Sequence, residues 1–445
     1  MRTATLLPST VAGAAALAVT AVLLPPDGSL ATIVPGLPTA GSRDLGLLAL
    51  AMIGCCVVFV AWPWTVLPTA IIGVLASTAV LGDSSVPAVL GFHSFLLAAG
   101  GLSLMIRRLV RPETETRVRT VADVPMVMVV VVILAGAGYG LLAGHAPLDV
   151  LIAVYHFGVI PVYFFLATCT LTTPRRLRSA GVLFVALAAV LTIASIAAPG
   201  RHGGAWSLLA AFPALVLSCR TRGWRRAGLV ALAALFLVDL VLASYRTTWL
   251  LAAVAVLVLL VGGVGAVRRA AGGVVVATGV LLVAGLGLST GVQERYAEVA
   301  WAWQQGAGYR FPEAVVGLDA FLANPLVGAG LGQSTPDVYL PNFAVTDVGP
   351  LYHVFYVMIL ANLGLAGMVV LLWPILTALR HGLAERDGLS FAFAALLCGF
   401  LASVLFSGPA TGHWALGLLP ALVLMTKRSA LPEQVATAAA PVGVR

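Results

Sequence analysis

The residues of this chain best suited to chemistry are two arginines, a histidine and a run of glycines, all in its second half. Arg246 stands in Ser244-Tyr245-Arg246-Thr247, a tight turn between two long apolar stretches. Arg310 follows Gly306, Gly308 and Tyr309, and His353 sits in Gly349-Pro350-Leu351-Tyr352-His353. Between them runs Gly328-Ala329-Gly330-Leu331-Gly332. A guanidinium can grip an anion bidentately, and an imidazole has an ordinary pKa suited to proton transfer near neutrality. Each residue also has a plainer reading. Arg246 is either an outward-facing anion site or an arginine lying against lipid headgroups or paired with Asp239. Arg310 could be a solvated loop arginine, and a single interfacial histidine is often structural. The glycine run is not a nucleotide loop, which needs a preceding strand and a following acid within a soluble domain. It implies backbone pressed close to another element or to an anion.

The elements that must position these residues are membrane helices. Sixty per cent of the residues are hydrophobic and 9% are charged, with a mean hydropathy of +1.04; a soluble domain carries about 25% charged residues. A span needs about 20 apolar residues. Fourteen stretches qualify, near 9–24, 45–62, 66–82, 86–106, 124–142, 150–172, 180–198, 206–219, 227–243, 248–266, 273–289, 351–373, 389–406 and 413–426. The segments 206–219 and 413–426 are short, and a count of twelve also satisfies the charge pattern. The N-terminal stretch Val11–Leu24 reads as a retained first helix rather than a cleaved signal.

Arginine and lysine orient the bundle. They cluster at Arg107/Arg108/Arg111, Arg175/Arg176/Arg178, Arg220/Arg222/Arg225/Arg226, Arg268/Arg269, Arg380/Arg386 and Lys427/Arg428. Those are the loops after every second span, and cytoplasmic loops carry the basic excess. Both termini are therefore expected in the cytoplasm. The formal charge of +8 comes from these loops; no basic stripe with interleaved aromatics points to nucleic acid. The five cysteines, none at metal-ligand spacing, read as small apolar filler.

The chain divides into a transmembrane bundle over 1–289, an outer loop over 290–350, closing transmembrane helices over 351–428 and a cytoplasmic tail over 429–445. Loops beyond about 12–15 residues are usually functional or disordered, and Trp301, Trp303, Tyr309, Phe311 and Phe321 make this one too apolar for disorder. A surface helix is expected over 293–305. A second is expected from Pro312-Glu313 to Ala323, ended by Asn324-Pro325.

Taken in order, Tyr309-Arg310, Asn324-Pro325-Leu326-Val327-Gly328-Ala329-Gly330, His353 and Leu363-Gly364-Leu365-Ala366-Gly367 resemble the O-antigen ligase and Wzy-type polymerase superfamily. Ser244-Tyr245-Arg246 resembles that superfamily's "S-R" element with one residue inserted, and Val354 replaces the asparagine that often follows the histidine. The close likeness covers roughly 240–375. It implies an all-α, GT-C-like polytopic fold of about 12–14 transmembrane helices with one large, partly helical extracytoplasmic loop. It also implies a glycosyltransferase of the bacterial cytoplasmic membrane. The donor would be an undecaprenyl-diphosphate-linked glycan and the acceptor a glycan or other hydroxyl. On this resemblance His353 is the general base. Arg246 and Arg310 hold the diphosphate, with Ser244, Tyr352, Gly328 and Gly330 also touching substrate. Membrane lipids surround the protein, and nucleic acid is no partner. No cofactor is implied. The outer loops lack an acidic cluster for a divalent cation, so a metal-independent reaction is expected. A transporter or lipid-linked sugar flippase is the rival, but it would favour polar residues near mid-membrane. The spans hold few, chiefly His93, His156 and Asp239.

Overall fold

The computed structural model describes residues 42–81, 86–110, 117–197, 205–243, 246–288, 293, 297, 310–334, 338–340, 343–345, 352, 354–386, 388–406 and 413–428. Every predicted span from 45–62 onward coincides with a helix; the span at 9–24 lies outside the described residues. Among the described residues five helices are long and apolar enough to cross a membrane alone: Leu90–Val110, Asp123–Leu142, Pro147–Thr170, Pro174–Ala194 and Phe355–Leu383. Met52–Ala61 and Pro63–Leu75 together would make a sixth, and four further apolar helices are shorter. The chain is an all-α polytopic membrane protein.

It forms two compact units. The first takes residues up to Val118 and Leu166–Leu191. It holds α1 (Ser42–Ala61), α2 (Val66–Leu81) and α3 (Val86–Val110), with parts of α5 (Pro147–Thr170) and α6 (Pro174–Ala197). The chain turns by 119° between α1 and α2. Pro63 explains the turn: a residue before proline is driven from helical geometry, and Trp62 has φ −130° and ψ 77°. Thr65 then closes a short 3-10 turn by donating from its hydroxyl to the Trp62 carbonyl at 2.7 Å. Arg107 donates to the carbonyl of Val60, so the α1–α2 turn and the first basic cluster share one end of this unit.

The second unit comprises Arg119–Phe165 and Thr192 onward. Its elements are α4 (Asp123–Leu142), α7 (Ala205–Ser218), α8 (Gly223–Ala243), α9 (Arg246–Gly262) and α10 (Gly265–Leu288). There follow α11 (Arg310–Ala323), β1 (Val338–Leu340), β2 (Phe343–Val345), α12 (Phe355–Leu383), α13 (Leu389–Ser403) and α14 (Ala415–Arg428). The two strands pair antiparallel, Val338 opposite Val345, a small hairpin that periodicity alone did not predict. Helices α9 and α13 run antiparallel: Phe391 meets Gly262, and the Leu251 carbonyl lies where a Cβ on Gly399 would come within 2.4 Å. Small residues at such crossings let backbones approach.

Four basic clusters gather at one end of this unit. The Val264 amide donates to the Arg386 carbonyl at 3.3 Å, Arg268 donates to the carbonyls of Gly263 and Val261, and the Arg220 guanidinium reaches Gly388. Ser390 donates to Val423, bringing in the end of α14 with Lys427 and Arg428. Helix α9 runs 17 residues from Arg246 toward this end, which at the α-helical rise is about 25 Å. Arg246 therefore opens α9 at the opposite end.

Candidate functional site

At that opposite end α12 begins. Val354 is extended, with φ −97° and ψ 104°. The Phe355 amide donates to the Val404 carbonyl at 3.1 Å, and the Tyr356 hydroxyl donates to the Leu401 carbonyl at 2.9 Å. These bonds tie the start of α12 to the end of α13. Extending the α9–α13 alignment from Leu251 and Gly399 by five residues sets Arg246 level with Val404. Arg246 is the first residue of α9. His353 and Ser244 lie outside the described residues, while Tyr352 and Val354, which flank His353 in sequence, are placed.

The loop helix α11 meets the same point. Its Gly317 lies against the Tyr352 ring so closely that a Cβ there would come within 2.7 Å of Cε1, and within 2.4 Å of Val357. Arg310 opens α11, about 10 Å along the axis from Gly317. Glu313 falls one turn before Gly317 on the same face and is buried. Tyr352 is fully enclosed, and among the described residues its hydroxyl has no hydrogen-bond partner. Burial pushes the Tyr352 phenol up to about 12, and the Glu313 carboxylate adds to the rise, so the phenol keeps its proton. Gly317→Ala is expected to push the Tyr352 ring aside; detergent-solubilised protein should melt several degrees lower, since overpacking a tight contact costs about 1–3 kcal/mol.

The glycine run after α11 is locked into a break in α12. Gly364 has φ 65° and ψ −167°, a conformation essentially confined to glycine. A broken helix leaves backbone groups without intrahelical partners, and here the run supplies them. Ala329 and Gly330 donate to the carbonyls of Ala361 and Asn362 at 2.8 and 3.0 Å. Leu365 and Ala366 donate back to Pro325 and Leu326 at 2.9 and 3.1 Å. Leu331 is held from the other side, its amide donating to Gly136 in α4 at 2.9 Å and its carbonyl meeting His145 Nδ1 at 3.0 Å. Of the two readings of this run, close approach to another element is the one the geometry displays. The Gly328 and Gly330 amides donate to Asn324 and Asn362.

Two features escaped the sequence reading. Glu313 reads from sequence as a favourable first-turn residue, yet it is buried close enough to Tyr352 to act on its phenol. His413, not singled out, is buried with its ring 3.9 Å from that of Phe355 and 6.4 Å from that of His156. Its only sequence signal is a histidine in a nearly charge-free stretch. Asp239, weighed as a partner for Arg246, accepts a hydrogen bond from Ser207, which is itself 3.2 Å from Thr192 Oγ1.

Residues 231–372 match the family model described as O-antigen ligase. The chain is similar to the O-antigen ligase family over this region. It contains Arg246, Arg310, Gly328, Gly330, Tyr352, His353 and the Gly364 break, the same motifs on which the resemblance rested. The clamp on Leu331 comes from outside the O-antigen ligase region, from Gly136, Gly140 and His145. No curated protein matches the chain closely enough to be named as a relative.

Proposed function

We propose that the protein is a metal-independent glycosyltransferase of a bacterial cytoplasmic membrane. It transfers or polymerises an undecaprenyl-diphosphate-linked glycan onto an acceptor hydroxyl at the outer face, as a surface-polysaccharide ligase or polymerase. The observation that carries the reading is convergence. The helix opened by Arg246, the helix opened by Arg310 and the segment flanking His353 meet at one end of one compact unit, within the O-antigen ligase region. His353 removes the acceptor proton as the new glycosidic bond forms; the bond from the anomeric carbon to the diphosphate breaks, and its electron pair leaves with the lipid diphosphate. Arg246 and Arg310 stabilise that developing charge. Gly328 and Gly330 serve this site by fixing the run that leads from α11.

The test uses purified full-length protein in lipid nanodiscs with a lipid-linked glycan donor and an acceptor glycan. Transfer with release of undecaprenyl diphosphate is expected, unchanged by EDTA. Arg246→Lys should lower the rate by at least about tenfold, because an ammonium does not reproduce the guanidinium fork on a diphosphate. Activity lost in EDTA and restored by magnesium or manganese would defeat the metal-independent reading.

On this reading the site faces outward and both termini face the cytoplasm, which the gathering of basic clusters at the opposite end of the second unit supports. In a cysteine-free background, Ser334→Cys should label with an impermeant maleimide added to intact spheroplasts, and Arg222→Cys should label only after lysis. The opposite pattern would invert the bundle and remove the outer-face reaction.

A further inference from the structure

The end of the second unit that carries the basic clusters holds a charged patch whose chemistry is independent of the proposed transfer. In the turn between α7 and α8 the Cys219 thiol donates to the Ala266 carbonyl, at the start of α10, at 3.6 Å. That contact sets the beginnings of α8 and α10 side by side, with Arg222, Arg225 and Arg226 at one and Arg269 at the other. All four arginines are exposed, and among the described residues none has an ion pair. The neighbouring acid, Glu385, borders Gly388 together with Arg220: a Cβ on that glycine would lie 3.3 Å from the carboxylate and 3.8 Å from the guanidinium. Nor does local structure offset the patch. Cations are favoured in the last turn of a helix, whereas Arg225 and Arg226 stand in the first turn of α8. The charge is left for an anion from outside.

What adjoins the arginines decides which anion fits. Val230 follows Arg226 by one turn and Val276 follows Arg269 by two, each pair on one helix face. Both valines are exposed, by 48% and 67%, as side chains that meet acyl chains are. Trp224 is 80% exposed with the Arg225 guanidinium 5.7 Å from its ring, and tryptophan at such a helix end lies at headgroup level. The patch therefore joins unpaired positive charge to hydrocarbon-facing surface. A nucleic acid or an acidic protein segment would match the arginines and leave the valines; a phospholipid matches both. We infer that Arg222, Arg226 and Arg269 bind the phosphate of an anionic phospholipid whose chains lie along Val230 and Val276. A guanidinium meets phosphate oxygens through two N–H groups at once. A net-negative headgroup such as that of phosphatidylglycerol leaves its charge to the arginines, while phosphatidylcholine neutralises its own phosphate.

The experiment uses full-length protein in nonionic detergent, with native mass spectrometry to follow bound lipid and thermal unfolding beside it. The probes are dioleoylphosphatidylglycerol, dioleoylphosphatidylcholine with the same chains, and glycerol phosphate, the anion without chains. Wild type should hold its first phosphatidylglycerol about tenfold more tightly than phosphatidylcholine. It should melt several degrees higher with phosphatidylglycerol present and respond to glycerol phosphate at the same concentration in neither measurement. Arg226→Gln/Arg269→Gln should lose the preference and the melting rise, yet melt as wild type does without lipid, since both side chains are exposed. Arg175→Gln/Arg178→Gln removes the same charge from exposed positions on α6, in the first unit, and should keep the preference within about twofold, because distant exposed charges are screened. Should Arg226→Gln/Arg269→Gln fail to fold, Arg222→Gln alone is expected to weaken phosphatidylglycerol about fivefold. The assignment is overturned if wild type holds the two phospholipids alike, or if glycerol phosphate competes as well as the lipid. It is equally overturned if the α6 variant loses as much as the folded patch variant, or if Arg222→Gln, used in its place, loses nothing.

Discussion

His353→Ala should express, fold and bind the lipid-linked donor as wild type does, and lose transfer by about 10²- to 10⁴-fold, the usual cost of removing a general base. The reason lies in what surrounds its place in the chain. Phe355, two residues on, is anchored through its amide to Val404, and Tyr352, one residue back, is held on Gly317 of α11. A base tethered on both sides by fixed backbone can be held to the tolerance that proton transfer demands, where a displacement near 1 Å can cost about 10² in rate. A histidine that merely filled space would cost stability and leave the rate per folded molecule intact. The measurement is therefore transfer per unit of monodisperse protein, set beside donor affinity and melting temperature. Near-normal transfer by a well-folded variant would refute the assignment. His145 would be a poor replacement, because its Nδ1 already meets the Leu331 carbonyl.

The line between what the sequence disclosed and what it hid follows the range of the forces involved. Helix α11 was legible because its signals are local: Pro312 and Glu313 suit a first turn, and Asn324-Pro325 ends it. The membrane helices were legible because length and apolarity decide them. The break at Gly364 was not. Leu363–Gly367 is apolar throughout and reads as uninterrupted helix, and the partners that make a break tolerable are the amides of Ala329 and Gly330, far back in the chain. The same holds for Glu313, which stands on a helix face that pattern alone leaves in solvent until Gly317 seats on Tyr352. The α1–α2 bend lay between these cases. Pro63 announced a break, but only the structure gives its 119°.

Gly364→Ala should destabilise the protein by about 4 kcal/mol, near the upper end for a single substitution, and abolish transfer as a consequence. Two costs add. The backbone at φ 65° and ψ −167° is held at a conformation that costs a side-chain-bearing residue about 1–3 kcal/mol. The new Cβ would also lie 2.5 Å from the Gly328 amide nitrogen and from the Leu326 carbonyl, backbone atoms that cannot turn away as a side chain can. Moving them would part Ala329 and Gly330 from the Ala361 and Asn362 carbonyls and leave buried backbone groups without partners, each worth about 1–3 kcal/mol. Gly328→Ala meets the other face of the same contact, 2.5 Å from the Asn362 carbonyl carbon at φ 70°. The two substitutions should therefore be less than additive when combined. Helix α4 supplies the internal control. A Cβ on Gly140 would come 2.1 Å from the Leu331 carbonyl oxygen, whereas one on Gly138 meets nothing within 4 Å. Gly140→Ala should fail alongside Gly364→Ala, while Gly138→Ala should be neutral or stabilising by up to about 1 kcal/mol, as alanine is in a helix interior. Thermal unfolding in detergent reads all four. If Gly364→Ala and Gly140→Ala melted with Gly138→Ala, the lock between the glycine run and the broken helix would not be what holds this end of the protein together.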